Sequence, residues 1–242
     1  MNQRTAIVTG AGKRVGAEIA RALLSDGWAV LAHVHNQHDE VPDGAVKVAA
    51  NLADRNCAEK IFGASAALPP VQLLVNNAAR FSFDRFGEFE PDEFDLHMAV
   101  NVRAPALLMD EFARRHASGD GLVVNLLDSK LFAPNPDFLS YTLSKHALSG
   151  LTELAARALA GRGIRVNGIA PGLMLRSNGQ SEENFEAMHA NNPLRYGVGP
   201  GDIIAALRYL IGARGVTGEV IAIDSGQRFM SLARDVQFAE PK

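Results

Sequence analysis

What most constrains the fold of this chain is a glycine-rich turn, Thr9-Gly10-Ala11-Gly12-Lys13-Arg14-Val15-Gly16, set between a short apolar run and a helix-period stretch. The alternation of apolar run and helical pattern then continues through the sequence. Strands are predicted over residues 5–9, 29–34, 45–49, 73–76, 122–126, 165–169 and 220–223. Several are apolar without alternation, as expected of strands buried on both faces of a parallel sheet. Helices are predicted over 15–26, 55–67, 92–118, 138–160, 181–190 and 202–212. In the first of these, Val15, Ile19, Ala22 and Leu23 share a face and Gly27 supplies the stop. Strand–helix–strand units with right-handed crossovers build a doubly wound α/β sheet of about seven parallel strands, helices on both faces. No repeat, low-complexity linker or composition break divides residues 1–242, so a single domain is expected.

Composition narrows the function classes. The net charge is −3, with Lys and Arg scattered, which argues against a nucleic-acid or membrane surface. Cys57 is the only cysteine, so no intrachain disulfide can form, and a cytoplasmic location is the expectation. The strand-like run from Thr5 leaves no room for a signal peptide, and no apolar run approaches the ~20 residues of a membrane helix.

In the glycine turn, Gly10 can take a backbone shape closed to other residues, Gly12 lets the main chain approach a pyrophosphate, and Gly16 permits close helix–strand packing. The helix that begins near Val15 offers free N–H groups to an anion. Together these features predict a Rossmann-type dinucleotide site, the alternative being a tight turn without a ligand. The second strand ends Leu31-Ala32-His33-Val34-His35 with no acid to hold the adenosine ribose, and Asp39 comes too late. Lys13 and Arg14 are then placed to meet a 2′-phosphate, which favours NADPH/NADP. His33 joins the cofactor set as a partly exposed strand-end residue; with no cysteine or carboxylate at matching spacing, it forms no metal site.

Tyr141 and Lys145 stand four residues apart on one helix face. A phenol near pKa ~10 needs a neighbouring cation to act at neutral pH, and Lys145 can supply it. Other polar residues fall in a suggestive order: Asn76-Asn77-Ala78-Ala79 after the fourth strand, Asn101 within a helix, Asp128 after the fifth, Arg165-Val166-Asn167 on the sixth, then Pro171-Gly172. All but Asn101 are expected at or near the carboxyl edge of the sheet, beside the glycine turn.

This set resembles the short-chain dehydrogenase/reductase family over nearly the whole chain. The resemblance implies a water-anchoring role for Asn101, an acid–base role for Tyr141 and a ribose-binding role for Lys145. It implies that Asn77 and Ala78 line the adenosine ribose, that Asn51 and Leu52 lie beside the adenine, and that Pro171 and Gly172 lie beside the nicotinamide carboxamide. Two departures narrow it. The usual serine thirteen residues before the tyrosine is Asp128; Ser129 is adjacent but, in a strand, would face the other way. Arg14 stands where the common pattern has its middle glycine. Both departures resemble the pteridine reductase and dihydromonapterin reductase branch, and imply a pterin site made of Arg14, Phe81, Asp128, Tyr141 and Leu173. The alternatives for Phe81 and Arg14 are core packing and phosphate contact alone.

The stretch 173–199 breaks the strand–helix rhythm at the carboxyl edge and is expected to cover the substrate, the alternative being a plain surface insertion. The expected partner is a small molecule. The family resemblance and the two long predicted helices imply a homotetramer. Rival functions are reduction of a carbonyl or oxidation of an alcohol, and, in a different class, a non-catalytic NADP-binding redox sensor.

Overall fold

The computed structural model describes residues 4–117, 119–177 and 179–239. Among these residues seven strands form one sheet: β1 (Thr5–Val8), β2 (Ala29–Val34), β3 (Val46–Ala49), β4 (Val71–Asn76), β5 (Gly121–Leu126), β6 (Ile164–Pro171) and β7 (Val220–Ile223). Their order is β3-β2-β1-β4-β5-β6-β7, and all neighbours are parallel. Each central strand is buried on both faces, which is why its sequence lacks alternation. The order reverses between β1 and β4, so the chain leaves these two strands in opposite directions and a crevice opens at their carboxyl ends.

Two layers of helix cover the sheet. On one face α1 (Arg14–Ser25) and α7 (Pro200–Gly212) bury Ile19, Leu23, Ile203 and Leu207 against the sheet. On the other, α2 (Cys57–Gly63), α4 (Ala104–Arg115) and α5 (Leu139–Leu159) bury Phe62, Leu108, Phe112 and Ala156. Among the described residues no helix is long and apolar enough to cross a membrane.

The predicted helix 92–118 is not continuous. It resolves into α3 (Pro91–Met98), a π-helical turn Ala99–Arg103 and α4. Pro105 has no N–H and cannot close an α-type bond onto the Asn101 carbonyl four residues earlier, so the ladder widens there. Of the two long helices on which the tetramer expectation leaned, only α5 is unbroken. The predicted helix end at Ser118, and Asn178 in the loop, lie outside the described residues. The loop at 173–199 does carry a short helix, α6 (Glu182–His189), capped by the Ser181 side chain.

A second correction concerns β6. Arg165 and Asn167 lie in its amino-terminal half, away from the crevice. Arg165 donates to Asp120 at 2.9 Å and to the carbonyls of Leu210 and Ala213, while Asn167 bonds Val216 and Glu219. The strand is longer than the sequence pattern suggested, and the extra residues toward Pro171 push these two down to the opposite edge.

Candidate active site

The crevice begins at the glycine turn, where three backbones come together. Thr9 Oγ1 accepts from the N–H groups of Asn77 and Ala78, and Asn77 Nδ2 donates back to the Thr9 carbonyl at 2.9 Å. A Cβ on Gly16 would lie 2.1 Å from the Gly10 carbonyl oxygen and 2.6 Å from Asn77 Nδ2. Gly10 itself has φ +65°, the left-handed region. No side chain caps the first turn of α1, whose residues Arg14 and Val15 line the crevice with Lys13 before them. Bare helix N–H groups facing a cleft suit an anionic phosphate. Gly16→Ala is therefore expected to destabilise the fold by about 1–3 kcal/mol through overpacking and to weaken cofactor binding. Chemical denaturation and a nucleotide titration check both.

Two expectations near this turn are corrected. His33 is not partly exposed; it is 2% exposed, and both ring nitrogens are used within the protein. Nε2 meets the Ala50 carbonyl at 3.0 Å and Nδ1 accepts the Gly10 N–H at 3.2 Å. Burial pushes its pKa below the ordinary histidine value, so the neutral ring braces Gly10 from behind. Asp39, judged too distant, returns beside the turn: a Cβ on Gly12 would lie 3.7 Å from Asp39 Cβ and 2.8 Å from the Glu40 carbonyl oxygen. Its carboxylate is engaged by the Asn36 N–H at 3.0 Å. Farther along, Asn51 is exposed, with its side-chain oxygen accepting the Ala53 N–H, and the Leu52 side chain belongs to the core.

From the turn the crevice opens into a cavity of about 510 Å³ lined by Lys13, Arg14, Asn77, Phe81, Asp128, Tyr141, Lys145, Pro171, Gly172 and Leu173. Its floor is the end of β5. Beyond Leu126 the strand stops, and Asp128 caps a 3-10 turn, Ser129–Leu131, accepting the Lys130 N–H at 2.9 Å. Because this is a turn and not a strand, alternation no longer applies: Ser129 also lines the cavity, contrary to expectation. The Tyr141 hydroxyl nevertheless chooses Asp128, donating to Oδ2 at 2.9 Å.

The electrostatics differ from those expected. Lys145 Nζ donates to the Leu126 carbonyl at 2.6 Å and lies 5.5 Å from the centre of the Tyr141 ring. Burial lowers its pKa to about 8, against the opposing pull of Asp128. Burial, and then the Asp128 charge and hydrogen bond, push the Tyr141 phenol well above its ordinary value. So Lys145 does not hold a ready phenolate here; the tyrosine is a neutral donor to a carboxylate. Asp128 is itself raised by burial, against the Lys130 N–H, the Tyr141 hydroxyl and the nearby ammonium groups.

Asn101 is buried at the π turn and does not line the cavity. Its side chain clamps Arg80, accepting the N–H at 2.7 Å and donating to the carbonyl at 2.9 Å, and also donates to Ser144 Oγ, which donates to the Tyr141 carbonyl. Phe81 is 41% exposed, stacks on Phe138 at 4.3 Å and meets Tyr141 edge-on at 4.7 Å. Gly172 is needed because a Cβ there would lie 2.7 Å from Gln227 Oε1, the group that also accepts the Leu173 N–H. Arg14 Nη1 donates to the Arg176 carbonyl at 3.0 Å, tying the glycine turn to the start of the 173–199 loop.

Sequence reasoning missed the segment after β7. Leu232, Asp235 and Val236 form part of the cavity wall, and Lys130, buried just past Asp128, holds Asp235 at 2.8 Å. No periodicity or motif marks these residues. Among the described residues no group of three or more His, Cys, Asp or Glu side chains could hold a metal ion.

The family model described as enoyl-(acyl carrier protein) reductase matches residues 10–228, from the glycine turn to just past β7. The chain belongs to the short-chain dehydrogenase/reductase family. It is an oxidoreductase of that family. A structure of the FolM alternative dihydrofolate reductase 1 from Brucella canis, complexed with NADP, is 36% identical, covers 94% of this chain and 95% of its own, and superposes with a TM-score of 0.88. Pteridine reductase 1 of Leishmania tarentolae is 31% identical over 69% of this chain and 75% of its own. L-xylulose reductase of Bos taurus is 30% identical over 92% of this chain and 96% of its own. These relatives are named for dihydrofolate, pteridine and L-xylulose reduction, so the substrate has to be argued from the cavity.

Proposed function

We propose that this protein is an NADPH-dependent reductase of a dihydropterin or a closely related C=N ring, with Tyr141 as the proton donor. The observation that carries the reading is the Tyr141–Asp128 hydrogen bond of 2.9 Å. A carbonyl substrate calls for a second O–H donor on its oxygen, and an ionised Asp128 offers only acceptor lone pairs. A pterin presents ring N–H and amino groups that want such an acceptor, and a flat face that stacks on an exposed ring such as Phe81. The names of the Brucella and Leishmania relatives support the same ring chemistry.

The glycine turn and the uncapped α1 fit the cofactor's pyrophosphate, and Lys145, Pro171 and Gly172 fit its nicotinamide half. When bound, NADPH supplies the hydride. The chain's own residues manage the proton. The Asp128 carboxylate orients the Tyr141 hydroxyl through the 2.9 Å bond and accepts from ring N–H or amino groups of the substrate. Tyr141 passes its proton to the substrate nitrogen while the neighbouring carbon gains the hydride, so the ring gains one N–H and one C–H. The phenolate left behind is offset by the Lys145 ammonium, 5.5 Å from its ring, and takes a proton back from solvent.

Lys13 is exposed, and Arg14 is turned toward the 173–199 loop, so Lys13 is the better partner for a 2′-phosphate. Lys13→Ala is expected to weaken NADPH binding by about tenfold, ~1.4 kcal/mol, and leave NADH binding unchanged. Parallel titrations with the two nucleotides check it. The ring reading is tested by adding dihydropterin to the enzyme–NADP complex: binding that weakens about tenfold or more in Phe81→Ala supports it, and no binding refutes it.

A further inference from the structure

The first turn of α5, which carries Tyr141, is held from the far end of the chain. Asp137 is 2% exposed and stands just before the helix. Its Oδ2 accepts from Arg234 Nε at 2.7 Å and from the Asp235 N–H at 2.8 Å, and its carbonyl accepts from Lys130 Nζ at 2.9 Å. Lys130 completes the loop by pairing with Asp235. Among the described residues, the segment that supplies Arg234 and Asp235 belongs to no strand and contains two 3-10 turns, Gln227–Met230 and Val236–Phe238. Polar ties to Asp137 and Lys130, together with Phe238 packed on Phe83 and Phe138, seat this strap on the cavity wall.

The next residue explains why such ties matter. Phe138 has φ 57° and ψ 53°, a left-handed conformation that a bulky residue keeps only when its surroundings impose it. Asp137 anchors it on one side. On the other its ring lies between Phe81 and Phe238, at 4.3 and 6.1 Å, with Phe83 edge-on at 5.4 Å. Tyr141 follows three residues later and packs on Phe81. The other half of the reacting pair is tied to the same strap, since the Lys130 N–H holds Asp128 while its ammonium holds Asp235.

We propose that Asp137 is a positioning residue, tying the C-terminal strap to the first turn of α5 so that Tyr141 is fixed against Asp128. The proposal rests on Tyr141 as the proton donor, the reading above, and not on which substrate is reduced. Burial alone would raise the Asp137 carboxyl, but Arg234 and the Asp235 N–H hold it below the usual carboxylate range, so the tie is charged at neutral pH.

The test breaks the tie from its exposed partner. Arg234→Ala, Arg234→Lys and Asp137→Asn are compared with the wild-type full chain by kinetics on one dihydropterin and one ketone, and by amide hydrogen exchange over residues 138–145. Arg234→Ala should raise exchange in that segment and lower kcat about tenfold or more, with KM for NADPH changed less than about twofold. Arg234→Lys should recover most of the lost rate, and Asp137→Asn should behave like Arg234→Ala. Unchanged exchange, or raised exchange with an unchanged kcat, overturns the proposal; so does equal loss in Arg234→Lys. Exchange is read without substrate, so a wild type inactive on both compounds counts against the functional reading, while the exchange result still decides the tie.

Discussion

Tyr141→Phe is expected to lower kcat by about a hundredfold to ten-thousandfold, the usual worth of a positioned general acid, while NADPH affinity stays within about twofold. Only one hydroxyl is lost, and that hydroxyl faces Asp128 and the cavity, with no partner in the glycine turn. Lys145→Ala should damage both turnover and binding, because the ammonium lies against the tyrosine ring and lines the cavity in which the cofactor is proposed to sit. Its pKa of about 8 gives this a pH signature. The charge that favours an anionic cofactor is present below that value and is lost as pH rises through it. NADPH affinity should therefore decline above about pH 8 in the wild type and stay flatter in Lys145→Arg, whose guanidinium does not titrate there. A Tyr141→Phe protein with near-normal kcat would remove the acid role.

Asp128→Ser is expected to cut kcat/KM on a dihydropterin by about tenfold or more, the cost of one strong polar contact, and to reduce ketone turnover less or even raise it. The substitution replaces an acceptor that also orients the Tyr141 hydroxyl by a hydroxyl that can donate to a carbonyl oxygen. Serine is smaller than the aspartate it replaces, so the substitution introduces no steric clash. A paired comparison on one ring substrate and one ketone decides it. Equal losses on both would make Asp128 a general catalytic group, and undiminished pterin turnover would end its assigned role.

Much of the architecture was legible because buried parallel strands write themselves as unbroken apolar runs, and all seven predicted strands occur. The crevice was legible because Gly10 and Gly16 have no tolerable substitute at their backbone contacts. The meeting of Asp128 with Tyr141 was implied by the family resemblance, which places the residue thirteen before the tyrosine beside its hydroxyl. Other features depended on geometry that spacing does not encode. Pro105 was a readable sign that the helix would break at Asn101, yet the periodic pattern on either side masked it. His33 looked like a strand end near solvent, because nothing local says that Ala50 and Gly10 will close on both of its nitrogens. Asp39 returned to the glycine turn through a loop held by its own carboxylate on the Asn36 N–H and by the Lys47 ammonium on the Gln37 and Asp39 carbonyls. The strap was invisible for a related reason: Lys130–Asp235 and Asp137–Arg234 join residues about a hundred positions apart through single polar atoms, which leave no periodic trace. The direction of the Tyr141 shift likewise depends on geometry: the sequence led to the expectation that Lys145 would favour the phenolate, whereas burial and then the Asp128 charge and hydrogen bond push the phenol upward.

The central claim, a ring reductase built on Tyr141 and Asp128, is tested most directly by initial rates of NADPH oxidation by the wild-type enzyme over matched panels of dihydropterins and ketones. The account predicts that at least one dihydropterin is reduced with kcat/KM about tenfold or more above every ketone, the margin that one strong polar contact supplies. Preferential turnover of ketones, with dihydropterins inert, would contradict it.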